Sequence, residues 1–183
     1  MRVIAGEFKG RRLVAPHGHA TRPTADQVRL ALMDTLAPWL PDARVLDLFA
    51  GSGSVGLEAL SRGAAHATFV ERDPRALRAL RSNLAALGLV VRARVVPADV
   101  RRALDTLSRA GEQFAVIFLD PSYQDPIDPV LDRIARAGLL GPGGVAIAQH
   151  LTKQPPRSAF GELTATRARR FGETTLTFFR AAE

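Results

Sequence analysis

Apolar positions change their period several times along the 183 residues. At the start, "RVIAG" and "GRRLVA" alternate apolar and polar positions around "EFKG", which predicts a short β-hairpin. "PHGHATRP" reads as a loop. In "TADQVRLALMDTLAPWL", Val28, Ala31, Leu32 and Leu36 fall on one helical face. Thr24 with Gln27 three residues on forms a capping box, and Pro38 and Pro41 end the helix. From Arg44 onward short apolar runs alternate with helical periods. "RVLDLF", "ATFVER", "RARVVPA", "FAVIFLD" and "GVAIAQH" predict strands. "SVGLEALSRG", "DPRALRALRSNLAALG", "VRRALDTLSRAG" and "DPVLDRIARAGLL" predict the helices between them. Asp73 as N-cap, Pro74 at the first helical position and Gly88 past the end bracket the second of these. The alternation implies right-handed crossovers and a parallel sheet, hence an α/β fold. The tail breaks the pattern: "TATRARRF" and "TTLTFFR" flank "GE" and predict a closing antiparallel hairpin.

The length suits one domain with a small appendage, divided as residues 1–22, a β-hairpin and basic loop, and residues 23–183, the main domain. Composition narrows the class. Without cysteine there is no disulfide framework and no thiolate nucleophile or ligand, which fits a cytoplasmic protein. No run approaches the roughly 18 apolar residues of a membrane span, and "MRVIAGEFKGRR" turns polar too soon for a signal peptide. Net charge is +7. The excess sits at the two ends, in residues 1–30 and 151–183, while the middle is balanced. Nearly all the cations are arginine, which suits bidentate phosphate contacts. Charge alone leaves two readings, a polyanion partner or solubility. His17, His19, His66 and His150 are too dispersed for a metal cluster, so no metal is expected.

"LDLFAGSGSVGLEAL" contains G-x-G-x-x-G at Gly51, Gly53 and Gly56, between a strand and a helix. Glycine there lets a ligand approach the backbone, and the helix start offers free N–H groups. Glu71, 20 residues beyond Gly51, ends the next strand, where a carboxylate accepts from ribose hydroxyls. Dinucleotides and S-adenosylmethionine share these features. Asp47 separates them. A carboxylate just below the loop repels a pyrophosphate and suits a ligand with ammonium and sulfonium charges. The alternative is that Asp47 only orders the turn by accepting from loop amides. Asp99 follows the next strand. It suits either an adenine amine or the N-cap of the helix starting at Val100, and the two roles are compatible.

"FAVIFLDPSYQDP" places Asp120, Pro121, Ser122 and Tyr123 at the end of the fourth strand of the series. These are also turn formers, but they share the crevice of the first motif. An aromatic amine is a poor nucleophile because its lone pair is delocalised into the ring. The Asp120 carboxylate and the Pro121 carbonyl can accept both of its N–H groups and localise that pair. Tyr123 offers a face for stacking the base.

With these residues the chain resembles class I S-adenosylmethionine-dependent methyltransferases. More closely, it resembles the bacterial RsmD-type family, which methylates guanine N2 in small-subunit (16S) ribosomal RNA. "IAGEFKGRRL", "TRPTADQVRLALMDTL", "LDLFAGSGSVGLEALSRGA", "FVERD", "DPSY" and "FGETTLTFF" carry the resemblance over nearly the whole chain. It implies a Rossmann-like seven-stranded sheet with an antiparallel last strand. It implies cofactor contacts at Asp47, Phe49, Ala50, Gly51, Gly53, Glu71, Arg72, Asp99 and Val100, and base contacts at Asp120 to Tyr123. The "RPT" segment lies over the cofactor pocket in the family, making Thr24 a cofactor contact and Arg22 an RNA contact. The implied partner is 16S ribosomal RNA within a small-subunit particle, met by a monomer. Arg2, Lys9, Arg11, Arg12, Arg22, Arg167, Arg169 and Arg170 then become candidates to flank the crevice and bind RNA phosphates. Two positions depart from the family pattern. Ser122 replaces a usual second proline, which loosens the turn. Gln149 stands where relatives often carry a carboxylate.

Three other readings compete. An adenine-N6 or cytosine-N4 methyltransferase shares D-P-x-aromatic. A nicotinamide dehydrogenase shares the glycine motif but is opposed by Asp47 and "DPSY". A non-catalytic RNA-binding or ribosome assembly factor is favoured only by Ser122.

Overall fold

The computed structural model describes residues 1–16, 26–122 and 125–181. His17, His19, Arg22, Thr24 and Tyr123, with the Thr24 capping box, lie outside the described residues. The helices are α1 (Asp26–Leu36), α2 (Ser54–Ser61), α3 (Pro74–Ala86), α4 (Val100–Arg109) and α5 (Ile127–Arg136). The strands are β1 (Arg44–Leu48), β2 (His66–Glu71), β3 (Ala93–Pro97), β4 (Phe114–Leu119), β5 (Leu140–Leu151), β6 (Ala159–Phe160), β7 (Leu163–Phe171) and β8 (Thr174–Ala181).

One sheet runs β3-β2-β1-β4-β5-β8-β7-β6. β1 to β5 are parallel, and β8 returns antiparallel between β5 and β7. The central strands are continuous apolar runs because both of their faces are covered. Val45, Phe69, Val116, Phe118 and Ile147 pack under α1, α2 and α3. Leu46, Leu48, Ile117 and Leu119 pack under α4 and α5. Neighbours β1 and β4 connect onward in opposite directions, so a crevice opens at their carboxyl ends.

The sheet has eight strands rather than seven. The extra one, β6, is two residues long. Phe160 is buried and meets Phe179 edge-to-face at 5.8 Å, which draws the β5–β7 connection into the sheet edge. The N-terminal hairpin is also less regular than the alternation predicts. It forms a single bridge, Arg2 to Arg12, with the Val3 amide donating to the Arg11 carbonyl at 3.0 Å.

Long-range hydrogen bonds hold that hairpin. Buried Glu58 of α2 accepts from the Ile4 and Ala5 amides at 2.8 and 2.9 Å. The Ser61 hydroxyl donates to the Ala5 carbonyl and accepts from the Phe8 amide. Gly6 passes so close to the Ser61 carbonyl that any Cβ would overlap it. Buried Arg29 of α1 donates to the Arg2 carbonyl at 2.6 Å. All of these anchors lie at the C-terminal end of α2 or on α1, away from the crevice. Replacing Glu58 by Ala strands two N–H groups and should destabilise the protein by about 2–4 kcal/mol in urea denaturation. Glu58→Gln, which keeps one acceptor oxygen, should lose less.

Candidate active site

The β1–α2 turn is built on backbone conformations that few residues adopt. Phe49 has φ 61°, Gly51 57° and Gly53 86°. The three motif glycines do different work. A Cβ on Gly56 would come within 2.3 Å of the Phe69 ring, so Gly56 lets α2 lie against β2. Gly53 combines positive φ with a close approach to Leu80. Gly51 faces open space, the side from which a ligand can reach the loop.

Carboxylates gather around this turn. Asp47 is almost fully buried, and its Oδ2 accepts from the Gly56 amide at 2.9 Å, in the first turn of α2. Glu71 Oε2 accepts from the Gly51 amide at 2.8 Å, and Oε1 accepts from the Arg72 and Asp73 amides at 2.7 Å. Asp99 caps α4 through the Arg101 amide at 3.0 Å, and its other oxygen lies 3.5 Å from Arg72. Arg72 also approaches Asp125 at 3.6 Å. The turn-ordering role of Asp47 and the capping role of Asp99 are therefore both realised. Asp47 keeps its Oδ1 outside that bond, whereas the second oxygen of Asp99 already faces Arg72. Ala50 is nearly buried, its amide donating to the Val70 carbonyl, and Val100 opens α4 with its side chain in the core.

Asp120 follows β4 directly. By strand alternation it shares with Asp47 the sheet face that carries Val45 and Phe118. Burial pushes the Asp47 carboxyl up to about 7. The Gly56 amide opposes that rise, while the charges of Asp120 and Glu71 add to it. Acids from the end of β2 and from just beyond β4 thus act on Asp47 of β1 at one end of the sheet. Hydrogen bonds join Ser122 to Asp125. The Ser122 hydroxyl donates to Asp125 Oδ2 at 2.9 Å, and the Asp125 amide donates back to the Ser122 carbonyl at 2.9 Å. Where relatives carry a proline ring, this chain has two reciprocal hydrogen bonds between Ser122 and Asp125.

Other placements separate residues that the sequence grouped. Arg11 donates to the Ala86 carbonyl at the far end of α3 from the crevice. Lys9 and Arg12 are exposed on the same hairpin. Arg169 donates to Thr35 of α1 at 2.8 Å and stacks on Phe171, and Arg170 donates to the Gly172 carbonyl. Sequence reasoning passed over Asn83. This buried side chain of α3 donates to both the Ser52 and Val14 carbonyls at 3.0 Å, tying the glycine loop to the segment leaving the hairpin. An asparagine inside an apolar helical face was its one visible signal.

A parallel β3-β2-β1-β4-β5 array continued by an antiparallel strand, with a glycine turn after β1 and an acid ending β2, is the fold of class I S-adenosylmethionine-dependent methyltransferases. Residues 1–180 match the family described as Conserved hypothetical protein 95. The chain is 39% identical to YlbH of Bacillus subtilis over 181 residues, 98% of each protein. It is 44% identical over 124 residues to ribosomal RNA small subunit methyltransferase D of Escherichia coli, an alignment that takes in 68% of this chain and 61% of that one. The solved structure of Escherichia coli yhhF superimposes with a TM-score of 0.85 at 30% identity, covering 99% of this chain and 97% of the other. The chain belongs to this family and is an RsmD-type class I methyltransferase.

The residues present fit S-adenosylmethionine. Gly51 leaves the approach to the loop open, and the surrounding acids favour a cationic ligand over a pyrophosphate. Because the folded Asp47 value lies above the ordinary carboxylate range, its stabilising contribution is complete below about pH 4 and is lost as pH rises through 7. A cation favours the ionised form. Affinity for S-adenosylmethionine should therefore weaken below pH 7, by up to about tenfold per pH unit. Calorimetry in two buffers of different ionisation enthalpy should show proton release on binding. Asp47→Asn keeps the acceptor for Gly56 and should flatten the profile. An unchanged profile would separate Asp47 from the cofactor.

Proposed function

We propose that this protein methylates the exocyclic N2 of a guanine in small-subunit (16S) ribosomal RNA, with S-adenosylmethionine as donor. The observation that carries this reading is the convergence of Asp47, Glu71 and Asp120 at the carboxyl ends of adjoining strands. One end of that row suits a cationic cofactor and the other a hydrogen-donating amine. The name of the Escherichia coli relative supports the choice of ribosomal RNA.

In this reading Asp47 and the glycine turn hold the amino-acid end of the cofactor. Glu71 takes the ribose and Asp99 the adenine. When bound, S-adenosylmethionine supplies a methyl carbon that leaves its sulfonium as a bond forms from the guanine nitrogen. Asp120 and the Pro121 carbonyl accept the two N2–H groups, localise the lone pair and fix its direction. The proton lost from N2 passes toward Asp120 or to water.

Gln149 supports guanine over adenine. It lies one residue beyond the Leu119–Ala148 pair, beside Asp120 on the neighbouring strand. Its buried Oε1 has no hydrogen-bond partner among the described residues. Buried acceptors are rarely left unpaired. Guanine offers N1–H next to N2, whereas adenine has a bare N1 beside N6. The carbonyl oxygen as placed matches the first, and only a turned amide presenting its NH2 would match the second.

Methyl transfer from labelled cofactor to purified small-subunit particles, followed by nucleoside analysis, tests the proposal. Labelled N2-methylguanosine is expected, and N6-methyladenosine or no turnover on any particle would overturn it. Asp120→Ala should abolish transfer while leaving RNA binding nearly intact. Gln149→Leu should lower kcat/KM for the particle about tenfold, the loss of one hydrogen bond to the base. Cofactor affinity should not change.

A further inference from the structure

The crevice is lined by acids, so it cannot hold the phosphate backbone of its RNA. That backbone needs a cationic surface close by. α3 provides one. It starts at the crevice edge, directly after Glu71 and Asp73, and over its 13 residues runs about 20 Å to the end where Arg11 meets the Ala86 carbonyl. Arg75, Arg78 and Arg81 are all exposed along it, and the helix contains no acid. Arg75 pairs with Asp73, whereas no carboxylate among the described residues pairs with Arg78 or Arg81. On the opposite face of the sheet Arg133 pairs with Asp105 at 2.7 Å, Arg136 with Asp132 at 2.8 Å and Arg157 with Asp128 at 3.1 Å, while exposed Arg102 and Arg109 of α4, unpaired among the described residues, supply a matched control.

A second feature lies beside the arginines. The segment leaving the hairpin runs along α3, held where Asn83 exchanges hydrogen bonds with the Val14 amide and carbonyl at 2.7 and 3.0 Å. Between that segment and the helix is a cleft of about 240 Å³, lined by Val14, Ala15, Pro16, Arg75, Arg78, Ala79 and Ser82. Val14 is 49% exposed there. Apolar walls flanked by guanidinium planes suit an unstacked nucleobase.

We infer that α3 and the Val14–Pro16 segment form a single-stranded RNA track, with phosphates along Arg75, Arg78 and Arg81 and one unstacked base in the adjoining cleft. The inference rests on the RNA reading above and assigns its contact surface. Phosphates follow the cationic helix. At its end only a base with donor groups enters the acidic crevice, because carboxylates exclude the backbone. The track also explains the placement of the hairpin. Arg11 sits at the far end of α3, so the hairpin meets the track there.

The test compares wild type, Arg78→Glu/Arg81→Glu and, as a control on the opposite face, Arg102→Glu/Arg109→Glu. All four positions are exposed, so each variant should keep the wild-type melting temperature and cofactor affinity. Binding of a fluorescein-labelled single-stranded RNA dodecamer is followed against salt. The α3 variant should bind at least tenfold more weakly at low salt. Its slope of log affinity against log salt should fall by about 1.4, or 0.7 for each phosphate that the helix no longer neutralises. The control should change less than threefold. RNA carrying 4-thiouridine should crosslink to the peptide containing Val14–Pro16. Wild-type binding by the α3 variant, an equal loss in the control, or crosslinks confined to other surfaces would overturn the track. Methyl transfer to small-subunit particles is measured alongside. Its failure in wild type would defeat the functional reading, whereas intact transfer with unaltered binding by the α3 variant would defeat the track alone.

Discussion

Buried Asp47 reaches across the β1–α2 turn and holds the Gly56 amide. That hydrogen bond joins the central strand to the first turn of α2. It fixes where Gly51 and Gly53 must bend and keeps a carboxylate at the innermost point of the crevice. A buried charge is costly unless it is compensated. Here one hydrogen bond compensates only in part, and the carboxyl is left near neutrality in its protonation. A group poised in that way is sensitive to whatever enters the crevice. The rest of the site extends the same logic, with Glu71 held by three loop amides and Asp120 close enough to raise Asp47.

Charge is sorted by element rather than spread evenly. Acids end the strands, at Asp47, Glu71, Asp99 and Asp120, while arginines line the outer face of α3. Over residues 31–150 the two signs cancel, so the composition of that stretch conceals the separation. The fold converts a neutral segment into an acidic mouth beside a basic ridge. This is the arrangement a neutral base on a polyanionic chain requires.

The departures from the family pattern follow the same local physics. Ser122 and Asp125 close their turn with hydrogen bonds instead of a proline ring. Gln149 substitutes an amide oxygen without charge beside Asp120, where a further carboxylate would raise the electrostatic cost of the cluster. Neither change disturbs the sheet, because Ser122 lies beyond the end of β4 and Gln149 keeps its ladder partner Leu176 on β8.

Period and punctuation in the sequence determined the parallel core, the glycine turn, the Asp73 cap and the returning strand. Each depends on neighbours within a few residues, and local propensity acts over that range. The acids of the site were legible because each stands at the end of an apolar run, where a strand must deliver it to the crevice. Only the tertiary structure decided what Glu58, Asn83 and Arg29 do. They bond backbone groups 27 to 69 positions away, and no local pattern encodes such partners. The same holds for the hairpin arginines. The sequence counted them as a basic end, whereas packing set Arg11 against the far end of α3, a helix that carries three exposed arginines counted elsewhere. A chain specifies its charges one by one, but their joint field exists only once distant segments share a surface.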